Sequence, residues 1–124
     1  MFDNLLLLTD SYKTSHFNQF ATNTSFIYSY IEARGGIFPT VTLYGLQYLL
    51  KRYLEGIVVT QEKIDQAEIM LKIHGVPFNK EGWQYILEKY NGKLPIRIKS
   101  IPEGLTVPTG NILASIENTD SKIG

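Results

Sequence analysis

The chain has 124 residues, enough for one compact domain with its own core. Twelve Lys and Arg balance twelve Asp and Glu without blocks of like charge, so the basic excess typical of nucleic-acid-binding proteins is missing. The sequence has no cysteine, which excludes disulfides, thiolate metal sites and a cysteine nucleophile. Leu5 to Leu8 is too short for a signal peptide, and no apolar run approaches the ~18 residues of a membrane span. These features favour a soluble, intracellular domain.

The first part of the chain predicts two helices and one strand. A helix over Tyr12 to Phe20 follows three candidate capping residues, Thr9 to Ser11. Phe26 to Ala33 is rich in aromatic and β-branched residues and predicts a strand, which Arg34-Gly35-Gly36 ends. Thr42 to Glu55 has leucines at helical spacing and predicts the second helix.

Two more helices are predicted in the middle of the chain. Thr60 caps the first, which ends at Gly75, and Asn79 caps the second, which ends at Asn91-Gly92. Each has an apolar stripe at helical spacing that predicts its buried face. The stripes are Ile64, Ala67 and Leu71 on the first helix and Trp83, Ile86, Leu87 and Tyr90 on the second.

The last part of the chain predicts short strands separated by turns. The strands are Ile96 to Lys99, Leu105 to Val107 and Ile112 to Ile116, and the turns are Pro102 to Gly104, Pro108 to Gly110 and Glu117 to Asp120. The order of elements predicts an α+β fold, with three to four helices packed on a mostly antiparallel sheet, as one domain over residues 1–124.

Local patterns alone do not define a catalytic site. The sequence has no glycine-rich phosphate loop and no nucleophile elbow. His16 and His74 lack metal-ligand spacing, and His74 is favoured where it is by the end of a helix. Asp10 and Glu32 are weak candidates for acid–base chemistry because most carboxylates are solvated or structural.

A series of motifs in order resembles the opening of nicotinamide phosphoribosyltransferases. Together the motifs cover about Leu5 to Asp120, nearly the whole chain. They are Thr9-Asp10-Ser11-Tyr12-Lys13, Ser15-His16, Asn23-Thr24-Ser25, Tyr28-Ser29-Tyr30, Tyr44-Gly45-Leu46-Gln47-Tyr48, Trp83-Gln84-Tyr85-Ile86-Leu87-Glu88-Lys89-Tyr90, Leu94-Pro95-Ile96, Pro102-Glu103-Gly104 and Glu117-Asn118-Thr119-Asp120.

The resemblance implies the N-terminal domain of a longer type II phosphoribosyltransferase, with an α/β barrel following it. Such enzymes are cytoplasmic homodimers that transfer phosphoribosyl from phosphoribosyl pyrophosphate, with Mg²⁺, to nicotinamide in NAD biosynthesis. Most catalytic residues of the family lie in the barrel, so we expect no catalytic residue, no cofactor and no activity in this chain alone. Whether ATP hydrolysis is coupled to transfer stays open.

Two positions match substrate-binding residues of the family. Tyr12 matches a tyrosine that reaches across the dimer and stacks on the nicotinamide ring, as a flat π-face can. Arg34 matches an arginine that contacts substrate phosphates, which a guanidinium holds with two parallel hydrogen bonds. Asp10, Lys13 and His16 belong to the same region, with Lys13 placed near phosphate and Asp10 with Ser11 as helix caps.

The departures from the family pattern are modest. Phe20-Ala21-Thr22 replaces a Tyr-Pro-Pro-like turn, and Arg34 to Val41 lacks an insertion of animal members, so the chain looks more like bacterial or phage versions. Two alternatives stay open: a standalone binding or dimerisation module, and the domain of a nicotinate-using relative.

Overall fold

The computed structural model describes residues 3–123 and divides them into two compact units, each discontinuous in sequence. The helical unit comprises the described residues up to Asn23 together with Tyr53–Leu94. The sheet unit comprises Thr24–Arg52 together with the described residues from Pro95 onward. Helices and antiparallel strands are both present, so the predicted α+β class is confirmed.

The elements of the described residues are mostly short. The helices are two 3-10 helices, Leu5–Leu7 and Ser11–Asn18, then α1 Leu46–Leu49 continued by a π-helix Leu50–Leu54, then α2 Gln61–His74 and α3 Lys80–Tyr90. The strands are β1 Tyr28–Glu32, β2 Thr40–Thr42, β3 Ile96–Ser100, β4 Thr106–Pro108 and β5 Ile112–Asn118. No helix among residues 3–123 is long and apolar enough to cross a membrane.

The two long helices of the helical unit begin and end where the sequence predicts. The side chains of Thr60 and Asn79 accept hydrogen bonds from backbone N–H groups in the first turns of α2 and α3. Gly75 and Asn91 follow the two helices in the left-handed conformation, which ends an α-helix while its last carbonyls stay bonded. Both predicted helices are therefore confirmed, including their caps.

The core of the helical unit forms around the predicted face of α2. Ile64, Ala67 and Leu71 are buried, as their spacing predicts. Of the predicted α3 stripe, Ile86 is buried and the others are half-buried. Leu6, Val58 and Val59 complete the buried apolar set of this unit.

Gly92 fixes the extended segment before α2. Its carbonyl oxygen accepts hydrogen bonds from the backbone N–H groups of Val58 and Val59, each at 3.0 Å. Its φ of +75° lies in the left-handed region, and a Cβ at this position would overlap the Val59 carbonyl oxygen. This close approach therefore requires glycine.

The sheet unit contains two antiparallel sheets. The larger has the order β1-β5-β3, and β2 pairs with β4 in the smaller. A register shift between Ile31 and Glu32 marks a bulge at the end of β1. In β5 the adjacent residues Leu113 and Ala114 are both buried, so the central strand is covered on both faces at this point.

The predicted helix over Thr42 to Glu55 is wrong in its first part. Thr42 lies in β2 opposite Thr106, and the two hydroxyl groups are 2.7 Å apart. α1 begins only after Gly45, and the Glu103 carboxylate accepts hydrogen bonds from the N–H groups of Gly45 and Gln47. Because these partners lie about 60 residues along the chain, leucine spacing alone could not reveal them.

The predicted turn over Glu117 to Asp120 begins two residues too early. Glu117 and Asn118 still belong to β5, with Glu117 opposite both Tyr28 and Arg97. The Arg97 guanidinium donates to the Glu117 carboxylate at 3.0 Å, which adds a cross-strand ion pair. The other predicted strands are confirmed with slightly different ends.

Candidate functional site

Tyr12 lies on the 3-10 helix Ser11–Asn18, which we call the Tyr12 helix. No residue of this helix is buried, and the Tyr12 side chain is 61% exposed. Large aromatic side chains in a soluble chain usually lie in a core, so an exposed ring here is available to a ligand or a partner. The structure thus places Tyr12 outside the core of the helical unit.

Side-chain hydroxyl groups hold the tight turns of the Tyr12 helix. The Thr14 hydroxyl donates to the Ser11 carbonyl and the Ser15 hydroxyl to the Tyr12 carbonyl, both at 2.7 Å. The Gln19 amide in turn donates to the Ser15 hydroxyl at 3.0 Å. Such bonds three residues back compete with regular α-helical bonding, which suits the 3-10 conformation of the predicted short helix.

The expected capping role of Asp10 and Ser11 is wrong. Asp10 is at the N-cap position, but the Tyr12 helix has no side-chain capping hydrogen bond. The Asp10 carboxylate instead forms an ion pair with Lys13, with 3.1 Å between Oδ2 and Nζ. The Asp10 side chain therefore positions the Lys13 ammonium beside Tyr12 and does not cap the N-terminus of the helix.

Lys13 and His16 both lie next to the Tyr12 ring. The Lys13 Nζ is over the ring at 5.8 Å from its centroid, within the range of a cation–π interaction. The hydrogen bond and charge of Asp10 raise the pKa of the Lys13 ammonium above its ordinary value, at which it is already charged at neutral pH. The His16 ring centroid is 5.6 Å from that of Tyr12, with the planes tilted by 57°. Asp10, Tyr12, Lys13 and His16 therefore form one cluster, which we call the Tyr12 cluster.

Arg34 belongs to the sheet unit and lies two residues after the end of β1. Its side chain is exposed and has no hydrogen-bond or ion-pair partner among residues 3–123. Gly35 and Gly36 have φ values of +134° and +146°, and the space around both is open. These two residues let the chain turn away from β1 so that the Arg34 guanidinium stays accessible.

The loop that carries Arg34 is anchored at both ends. The N–H of Gly110 donates to the Ala33 carbonyl at 2.9 Å, and the N–H of Thr109 donates to the Pro39 carbonyl at 3.0 Å. Sequence reasoning identified Pro108 to Gly110 as a turn but did not link it to Arg34. No local signal could have done so, because the bonded residues are about 70 positions apart.

The remaining candidates from the sequence do not form a second site within residues 3–123. His74 is the last residue of α2 and is exposed, as expected for a histidine near a helix C-terminus. Within residues 3–123, no group of three or more His, Asp or Glu side chains is placed to hold a metal ion.

Comparison with known proteins gives the context for these residues. The family model described as "Nicotinamide phosphoribosyltransferase, N-terminal domain" matches residues 4–98. The chain is 48% identical over 120 residues to a protein named nicotinamide phosphoribosyltransferase from Xanthomonas campestris pv. campestris (strain 8004). That match covers 97% of this chain but only 25% of the relative, so the chain spans about a quarter of the relative's length. The chain belongs to the nicotinamide phosphoribosyltransferase family and corresponds to its N-terminal domain.

Proposed function

We propose that the chain is the N-terminal part of an enzyme that transfers phosphoribosyl from phosphoribosyl pyrophosphate to nicotinamide. The products are nicotinamide mononucleotide and pyrophosphate, in NAD biosynthesis. Family membership supports this activity, as does the relative of the same name. The later part of the enzyme, expected to be an α/β barrel, supplies the catalytic groups, so the isolated chain does not catalyse transfer.

Tyr12 binds the nicotinamide ring in this proposal. The observation that carries it is the Tyr12 cluster, in which the exposed Tyr12 ring lies beside Lys13 and His16 on a helix with no buried residue. A flat π-face stacks on an electron-poor heteroaromatic ring and holds its nitrogen in the orientation needed for attack. In the homodimer that we propose, Tyr12 of one subunit reaches the active site of the other.

Arg34 binds phosphate groups of phosphoribosyl pyrophosphate in the same proposal. Its side chain is exposed and has no partner within residues 3–123, and its loop is anchored at both ends. A guanidinium on an anchored loop can form two parallel hydrogen bonds to phosphate oxygens with little ordering cost. Mg²⁺ would accompany this substrate, and the enzyme would work in the cytoplasm.

The roles of Tyr12 and Arg34 are separable by steady-state kinetics of the complete enzyme. Tyr12→Leu removes the π-face, so we expect kcat/KM for nicotinamide to fall by about tenfold or more, while Tyr12→Phe keeps most of it. Arg34→Gln removes the phosphate contact, so the KM for phosphoribosyl pyrophosphate should rise by about tenfold or more. Unchanged kcat/KM for nicotinamide in Tyr12→Leu would remove Tyr12 from the site.

Two controls test the activity itself. Nicotinate offered in place of nicotinamide should be a poor substrate of the complete enzyme, and a preference for nicotinate would overturn the substrate assignment. Purified 124-residue chain should form no nicotinamide mononucleotide. Product formation by that chain would contradict the assignment of catalysis to the later part of the enzyme.

A further inference from the structure

Lys13 holds a positive charge over the ring that we assign to nicotinamide. Its Nζ is 5.8 Å from the Tyr12 centroid, and the Asp10 carboxylate at 3.1 Å keeps it there. Backbone geometry supports the same placement, because the Lys13 N–H donates to the Asp10 carbonyl at 3.0 Å. The Tyr12 side chain stays 61% exposed beside Lys13 and His16, so a planar ligand can still reach the ring.

The nicotinamide ring changes charge during the proposed reaction. The lone pair of its neutral ring nitrogen forms a bond to the ribose C1′, and the bond from C1′ to pyrophosphate breaks with its electron pair on the leaving oxygen. The product ring is therefore a pyridinium cation. A tyrosine π-face attracts cations through its negative quadrupole, so without other charges Tyr12 would hold the product ring more tightly than the substrate ring.

A second cation on the same aromatic ring opposes that preference. The Lys13 ammonium already interacts with the negative potential of the Tyr12 ring and repels a positive ring bound there, while the paired Asp10 carboxylate offsets part of that repulsion. A neutral nicotinamide ring feels little of this repulsion, since it has no net charge. The repulsion by Lys13 therefore weakens binding of the cationic product ring and leaves binding of the neutral substrate ring nearly unchanged.

We propose that Lys13 is a specificity-determining residue that makes Tyr12 favour neutral nicotinamide over the cationic product ring and so promotes product release. The inference rests on the proposed function, because it requires Tyr12 to stack on the substrate. It assigns to Lys13 a charge effect on the pyridine ring rather than the phosphate contact expected from the sequence.

The test compares two probes that differ by one methyl group and one charge. Nicotinamide is neutral, 1-methylnicotinamide is a pyridinium cation, and neither has a phosphate that could bind Lys13 directly. Dissociation constants are measured by calorimetry for the complete enzyme and for its Lys13→Met and Lys13→Arg variants. In Lys13→Met, the affinity for 1-methylnicotinamide relative to nicotinamide should rise about two- to fivefold, the factor expected when one exposed positive charge near the bound ring is removed.

Lys13→Arg is the matched control because it keeps the charge, so its affinity ratio should stay near that of the unmodified enzyme. An unchanged ratio in Lys13→Met, or a shift towards nicotinamide, would overturn the role of Lys13. Tyr12→Leu separates this failure from failure of the proposed function. If Tyr12→Leu weakens nicotinamide binding but Lys13→Met leaves the affinity ratio of the two probes unchanged, only the inference about Lys13 is wrong. If Tyr12→Leu leaves nicotinamide binding unchanged, both the proposed role of Tyr12 and the inference about Lys13 are contradicted.

Discussion

The helical unit and the sheet unit are stabilised in different ways. The helical unit buries side chains from four separated segments, and Val59, Ile64 and Ala67 have no exposed surface at all. Among the described residues of the sheet unit, the buried apolar side chains are Leu113 and Ala114. Many of its large apolar side chains are exposed: Phe26, Tyr28, Tyr30, Ile31, Ile37, Phe38, Tyr44, Tyr48, Leu49, Leu105 and Ile112.

The sheet unit depends instead on backbone pairing and on polar side chains that bind distant backbone groups. Asn118 accepts from the Ile27 N–H at 2.7 Å and donates to the carbonyls of Ser25 and Asp120, each at 2.8 Å. The Glu103 carboxylate accepts hydrogen bonds from the N–H groups of Gly45 and Gln47 at the start of α1. We therefore expect truncation of apolar side chains to reduce stability most in the helical unit and loss of polar side chains to reduce it most in the sheet unit.

The largest expected effect is in the core of the helical unit. Ile64→Ala leaves a cavity at a fully buried position and should cost about 2–5 kcal/mol of unfolding free energy. Denaturant titration followed by the fluorescence of Trp83, the single tryptophan, reports on this unit directly. Ile73→Ala on the same helix is the control, because Ile73 is 79% exposed and its loss should change the free energy by about 0.5 kcal/mol or less. Equal costs would contradict a closed core.

A smaller effect is expected from a polar substitution in the sheet unit. Asn118→Ala removes the hydrogen bonds to the Ile27 N–H and to the Ser25 and Asp120 carbonyls, which should cost about 1–3 kcal/mol locally. Hydrogen exchange of the β5 amide groups should become faster by about tenfold per 1.4 kcal/mol lost. Asn111→Ala, which removes a single bond to the exposed Pro108 turn, is the matched control. If β5 exchange is the same in both variants, polar anchoring does not explain the stability of this unit.

The smallest effect concerns an exposed ion pair between α2 and α3. The Glu68 carboxylate lies 2.8 Å from the Lys80 ammonium and, through this hydrogen bond and its charge, raises the pKa of Lys80 above its usual 10.5. Because the folded-state pKa is raised, the stabilisation is complete below pH 10.5 and is lost as the pH rises through the raised value. The melting temperature of Lys80→Met should lie slightly below that of the unmodified chain at pH 8 and meet it in stronger alkali. A constant difference across this range would show that Lys80 acts through packing alone.

The sequence predicted the two long helices well because their signals are local. Caps such as Thr60 and Asn79 and stripes such as Ile64, Ala67 and Leu71 lie within a few residues of the structure they specify. The elements that were wrong depend on partners far along the chain. Thr42 joins a strand because of Thr106, and Glu117 extends β5 because Tyr28 and Arg97 lie opposite.

The candidate site shows the same limit. The motif around Tyr12 identified the residues of the Tyr12 cluster, and the structure brings Asp10, Tyr12, Lys13 and His16 together. The motif could not reveal that the Asp10 carboxylate pairs with Lys13 and does not cap the helix, because both roles suit an aspartate at that position. The anchoring of the Arg34 loop was equally invisible, since it depends on backbone groups in a distant turn.

The interleaved order of the two units has a consequence for folding during synthesis. β1 leaves the ribosome more than 80 residues before its partner β5, and Asn4 binds a carbonyl of Lys63, 59 positions later. Neither unit can be completed from its first segment alone. Because contacts between distant positions are slow to form, β1 and the loop that carries Arg34 have no pairing partner until the later segments emerge.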